Sequence, residues 1–232
     1  MIKKTLLIYI FILYLINTVI TNIKTGFAYG IDIFLYITLI FIVLKIYKKT
    51  YTKNNYNKYP IKAVINMFIL SCTIFICYNL LEYGFISLFI PNYTSTYKFN
   101  IIHIINGIIF APIAEEFIFR GIVLNQLCKK NSFIVANIIQ ASIFALLHFD
   151  LYIFCFLFIF GVILGIVCKY INIYCCILIH SLNNLLVVLF VVYNLEFIEL
   201  PRYGYLLVGS TFSLIILKIL TYLKVKYQVN NR

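Results

Sequence analysis

Two glutamates stand side by side at Glu115 and Glu116 in "EEFIFR", in a chain that has only seven acidic residues among 232. Glu116 and Arg120 are i and i+4 with the acid first, the spacing and order that close an ion pair on one helix face. Glu115 is turned about 100° away, so the arginine neutralises it less. A carboxylate left with less compensation in an apolar setting suits the work of a general base or acid. Two of the three histidines lie further on. His148 ends "FALLH", one turn after Phe144. His180 opens "HSLNN", one turn before Asn184 and on the same helical face. A glutamate joined by histidines suits activation of water. The residues alone leave a structural ion pair open as the other reading of the glutamates.

These groups sit in a chain that belongs in lipid. It is 64% hydrophobic, 18% aromatic and 11% charged, with mean hydropathy +1.02; soluble domains are charged at about a quarter of their positions. Apolar runs long enough to cross a bilayer, each about 20 residues, occur at 5–23, 27–44, 63–90, 101–127, 132–148, 151–168, 171–193 and 203–223. The expected fold is therefore all-α, a polytopic integral membrane bundle of about eight transmembrane helices. A lipid-facing barrel strand would alternate polar and apolar residues, and these runs do not. One integral membrane domain is expected over 1–232, since little chain remains for a soluble one.

The basic residues set the expected topology. Fifteen lysines and arginines fall at alternate ends of the spans and three (Lys24, Lys98, Arg202) at the others. Both termini are therefore expected in the cytoplasm. The net charge of +12 is spread over short loops beside apolar runs, which points to anionic lipid headgroups and excludes nucleic acid as the partner. The basic, apolar N-terminus resembles a signal peptide but lacks a small-residue cleavage site, and is expected to stay as the first span. The seven cysteines lack metal-ligand spacing and are expected as small buried hydrophobes.

Ionisable groups within a span are costly and mark candidate sites; here they are Glu82, Glu115, Glu116, Arg120, His148 at the end of its span, and His180, with His103 expected to be a packing or interfacial residue. Pro112, one turn before the pair, cannot donate to the carbonyl of Ile108 and predicts a kink there. Gly161 and Gly165 form a GxxxG pair, expected to let a neighbouring helix of the same chain approach. Other hydrolytic arrangements are missing. There is no HExxH and no GxSxG, Ser181 is adjacent to His180 and so about 100° from it, and neither Asp32 nor Asp150 is placed for an aspartyl dyad.

The three segments "EEFIFR", "FALLH" and "HSLNN", in that order over 115–184, resemble the EExxxR, FxxxH and HxxxN motifs of the CAAX protease and bacteriocin-processing family, also called CPBP or Abi proteins. The core of the resemblance is expected within 101–193. It implies an all-helical intramembrane glutamate-type endopeptidase acting on a peptide or lipid-anchored protein. Under it Glu115 is the base that activates water, His148 orients that water, His180 with Asn184 stabilises the oxyanion, and Glu116, Arg120 and Phe144 support them. No cofactor is expected, although Glu115, His148 and His180 could also ligate zinc. The wealth of isoleucine, asparagine, lysine and tyrosine implies an AT-rich genome, hence a bacterial plasma membrane and a role in peptide processing or self-immunity. A non-catalytic immunity or scaffold protein and a small proton-coupled transporter remain as alternatives.

Overall fold

In the computed structural model, residues 12, 14, 16, 26–50, 61–89, 101–149, 153–193 and 201–228 are described. Among these, the regular structure is helical, with no strand. Seven helices carry it: α1 (Gly26–Thr50), α2 (Ile61–Phe89), α3 (Ile101–Leu127), α4 (Phe133–Leu146), α5 (Phe154–Tyr170), α6 (Ile173–Val192) and α7 (Arg202–Gln228). Each coincides with one of the expected spans. Of the first expected span, 5–23, only Ile12, Tyr14 and Ile16 are among the described residues, and all three are helical. Asp150 and the centre of the lysine-rich loop, 51–60, lie outside them, as does the side chain of Glu82.

Three segments of the described chain are long and apolar enough to cross a membrane, Ile101–Leu127, Ile173–Val192 and Tyr203–Lys226; shorter apolar stretches occur at Ile65–Leu81, Phe133–Leu146 and Phe154–Tyr170. Large apolar side chains such as Phe34, Phe41, Ile134, Leu207 and Leu217 are exposed. In an integral membrane protein these side chains meet lipid, which is as apolar as they are.

Helix starts are written locally. Ser132 caps α4 by accepting a hydrogen bond from the Val135 N–H at 3.5 Å. Asn172 caps α6, its Oδ1 accepting from the Cys175 N–H at 2.8 Å. Both satisfy a donor that the first helical turn leaves unpaired.

The chain divides into two compact units, each discontinuous in sequence: Met1–Lys58 with Asn100–Gly165, and Tyr59–Phe99 with Ile166–Arg232. In the first, α1 packs on α3, where the Tyr47 ring meets Phe117 edge-on at 5.1 Å, and Tyr36, Leu39 and Val43 are buried. The amino-terminal part of α5 approaches α4 closely at its two glycines. A Cβ on Gly161 would lie 3.0 Å from the Cβ and 3.1 Å from the Cα of Ala141, and one on Gly165 would collide with the carboxamide oxygen of Asn137. The GxxxG pair thus serves packing within the chain, as expected. Its closeness lets Asn137 Nδ2 donate to the Val162 carbonyl at 3.0 Å. Gln140 Nε2 donates to the Gly161 carbonyl at 3.1 Å and to Asn137 Oδ1 at 2.8 Å.

In the second unit α2 contacts both α6 and α7. Ser71 Oγ donates to the carbonyl of Ile179 on α6 at 3.3 Å, and the thiol of Cys77 donates to the Gly209 carbonyl on α7 at 3.4 Å. Small residues again set the approach, since a Cβ on Gly209 would come within 2.7 Å of Leu81. The cysteines need a correction. No disulfide joins any of the seven, and Cys77, Cys175 and Cys176 are buried, but Cys128 and Cys155 are exposed. Cys128 stands past the end of α3 in a turn, and for Cys155 a thiol in a membrane helix is as compatible with lipid contact as with burial.

The glycines yield a paired expectation. Gly161→Ala, wedged against the backbone of Ala141, should destabilise the protein by about 1–3 kcal/mol through overpacking. Gly107→Ala, where nothing stands within 4 Å, should be neutral or stabilising by up to about 1 kcal/mol. Thermal unfolding of the two variants in detergent, followed by circular dichroism, compares them directly.

Candidate active site

The glutamate pair lies in α3, and α3 departs from ordinary helical geometry on both sides of it. Asn106–Phe110 and Phe117–Leu124 are π-helical, while Ala111–Glu116 between them is α-helical. The wider turns begin just before Pro112, with the Ala111 N–H bonded to the Asn106 carbonyl five residues back. At the break expected near Pro112, the missing donor is met by local widening to i→i+5 bonding, which is frequent at functional sites.

Arg120 is wholly buried and matched on three sides. Its Nη1 donates to Glu116 Oε1 at 2.9 Å, with both side chains fully inaccessible. Its Nη2 donates to the Gly161 carbonyl at 3.2 Å. The guanidinium also stands 4.6 Å from the centroid of the Phe144 ring, where the negative face of the ring attracts a cation. The i, i+4 pairing read from the sequence is therefore present. Residues of α3, α4 and α5 converge on this one charge.

Glu115 is buried at 5% exposure, and its Oε1 accepts a hydrogen bond from the Tyr14 hydroxyl at 3.0 Å. Tyr14 was not among the residues read from the sequence. The signal it offered was a phenol inside an apolar run, and twenty tyrosines in the chain hide one.

Phe144 joins the pair to the first histidine. Its fully buried ring meets Phe119 edge-on at 5.2 Å and His148 at 4.7 Å, and Phe119 in turn meets Tyr14 at 5.7 Å. A continuous aromatic run, Tyr14–Phe119–Phe144–His148, thus leads from the phenol that holds Glu115 to the histidine. His148 itself lies two residues beyond the end of α4, which stops at Leu146, at the end of the span expected over 132–148. Its Nδ1 lies 2.8 Å from the Phe144 carbonyl. A carbonyl only accepts, so Nδ1 is the donor in this contact. The ring thereby caps one of the carbonyls that a helix end leaves unpaired. Phe149 follows at φ 54°, a left-handed conformation that turns the chain directly after the histidine.

His180 and Asn184 belong to the second unit, one turn apart on α6, the histidine buried and the asparagine half-buried. The Ile179 carbonyl beside His180 accepts from Ser71, which ties this turn of α6 to α2. His103 is half-buried in the first turn of α3. Among the described residues, no group of three or more His, Cys, Asp or Glu side chains is gathered to hold a metal ion.

Residues 97–186 match the family model described as "Type II CAAX prenyl endopeptidase Rce1-like". This segment is similar to an Rce1-like domain. The matched segment contains all three motifs, so the family read from "EEFIFR", "FALLH" and "HSLNN" is borne out. Rce1-like proteins are membrane endopeptidases. No curated protein and no solved structure matches the chain.

The buried pair in the Rce1-like segment carries a stability expectation. Removing one partner of a desolvated ion pair strands the other charge and costs about 3–5 kcal/mol. Arg120→Leu should therefore destabilise strongly, and Glu116→Leu with Arg120→Leu should be less destabilised than Arg120→Leu alone. Denaturation in detergent of the single and double variants measures the difference.

Proposed function

We propose that the protein is an intramembrane endopeptidase in which Glu115 activates the attacking water directly. The observation that carries this reading is the unequal treatment of the two glutamates within the Rce1-like segment. Glu116 is committed to the buried Arg120 at 2.9 Å, whereas Glu115 is held by a neutral phenol at 3.0 Å. A general base must present its carboxylate to the attacking water, and Glu115 is the glutamate of the pair that Arg120 does not engage.

In this reaction Glu115 removes a proton from water as the oxygen adds to the scissile carbonyl carbon. The carbonyl oxygen becomes an oxyanion. His148 orients the water by accepting a hydrogen bond at Nε2, a role supported by the Nδ1–H bond to the Phe144 carbonyl. His180 and Asn184 donate to the oxyanion, a role supported by their HxxxN motif. As the tetrahedral intermediate collapses, the carbon–nitrogen bond breaks and the leaving amine takes the proton back from Glu115. Glu116, Arg120 and Phe144 hold this machinery in place.

The protein is further proposed to cross the membrane eight times, with both termini in the cytoplasm of a bacterium. Its substrate would be a membrane-associated peptide or lipid-anchored protein, in processing of small secreted peptides or in self-immunity. A type II CAAX prenyl endopeptidase acts on prenylated C-termini, so a farnesylated CAAX peptide is the first probe.

Glu115→Gln should insert normally and abolish cleavage of that probe in proteoliposomes. His180→Ala and Asn184→Ala should each lower kcat by roughly a hundred- to a thousandfold, as for loss of an oxyanion donor. Product formation read by mass spectrometry decides the matter, and undiminished cleavage by Glu115→Gln would sink the reading. Activity should also withstand a zinc chelator; loss on chelation with recovery on added zinc would replace direct activation by metal-assisted hydrolysis.

A further inference from the structure

We infer that Tyr14 is a positioning residue for the candidate base, orienting the Glu115 carboxylate through its hydroxyl; this rests on the reading of Glu115 given above. The two residues are 101 positions apart, and the bond between them is buried. Tyr14 is exposed to only 1% and Glu115 to 5%. A buried phenol must find an acceptor for its O–H, because an unmet donor in an apolar interior costs about 1–3 kcal/mol. Backbone carbonyls are the common acceptors for such groups. Tyr14 instead donates to the glutamate that Arg120 does not hold.

The phenol is itself held. Its ring stands edge-on to Phe119 at 5.7 Å, and Phe119 lies fully buried one residue before Arg120. The hydroxyl therefore reaches Oε1 from a fixed ring and not from a mobile surface side chain. A hydrogen bond from a neutral donor fixes the rotation of the carboxylate plane and supports its negative charge. The first span thus contributes to the Rce1-like site a residue lying outside all three motifs and outside the matched segment 97–186.

The test uses the full chain in proteoliposomes with a quenched fluorogenic, farnesylated CAAX peptide. Tyr14→Phe keeps the ring against Phe119 and removes only the O–H. Per mole of folded enzyme, kcat should fall roughly ten- to a hundredfold, with KM within about threefold of the parent value. Replacement of Tyr14 by 4-aminophenylalanine restores a neutral donor at the same place and should recover most of kcat. An unchanged kcat in Tyr14→Phe would overturn the inference while leaving Glu115 as the base. So would a change confined to KM or to the yield of folded protein, or a 4-amino variant no better than phenylalanine. A parent enzyme that leaves the probe intact, or a Glu115→Gln variant that cleaves it, would overturn the reading of Glu115 and this inference together.

Discussion

A guanidinium cannot be left alone away from water, and the buried charge of Arg120 is the constraint around which the first unit is arranged. An isolated ion in such a place is too costly to persist. Arg120 meets the demand with three different kinds of partner: a carboxylate from its own helix, a backbone carbonyl from α5 and an aromatic face from α4. Each partner arrives on a separate piece of chain, so satisfying one charge fixes the mutual placement of three helices. Phe144 then passes the constraint on. The ring that faces the guanidinium also abuts His148, and the Phe144 carbonyl holds the histidine's Nδ1. A residue of the candidate site is thereby oriented by a charge it does not touch.

The glycines make this geometry reachable. In lipid no water is released when two apolar helices meet, so association depends on close packing and on polar contacts between helices. Without Cβ atoms at Gly161 and Gly165, α5 lies against Ala141 and Asn137 of α4. The Gly161 carbonyl is then close enough to accept from both Arg120 and Gln140. Two lone pairs on one oxygen serve two donors. Close packing and charge satisfaction are one feature here, since a side chain at residue 161 would move the carbonyl that Arg120 uses.

What the sequence revealed follows from how local each contact is. The Glu116–Arg120 pair was legible because both partners lie on one helix, four residues apart. The Tyr14–Glu115 bond spans 101 residues, and periodicity within a run carries no information about such a partner. The π-helical turns of α3 escaped because a reading at 3.6 residues per turn assumes the geometry it tests, although Pro112 marked where it would fail. The expected span ran on to His148 because Leu146 and Leu147 extend the apolar run, while the hydrogen-bonded helix ends at Leu146. Hydropathy measures affinity for lipid and not the last helical turn. The exposed Cys155 went astray for a related reason, since in a membrane an apolar side chain is equally at home facing lipid or core, whereas Cys128 stands past the end of α3 in the turn before Lys129.

Adjacency of the two glutamates is then a physical requirement of their division of labour. Successive residues on a helix point about 100° apart, so two neighbouring carboxylates can share one depth while meeting different partners. Three residues apart they would lie on one face and compete for the same arginine. Here one meets a permanent cation and the other a neutral phenol. The cation fixes a charge in place, which suits a strut holding helices together. The phenol contributes one directed hydrogen bond, which orients the carboxylate that the proposed reaction assigns as its base.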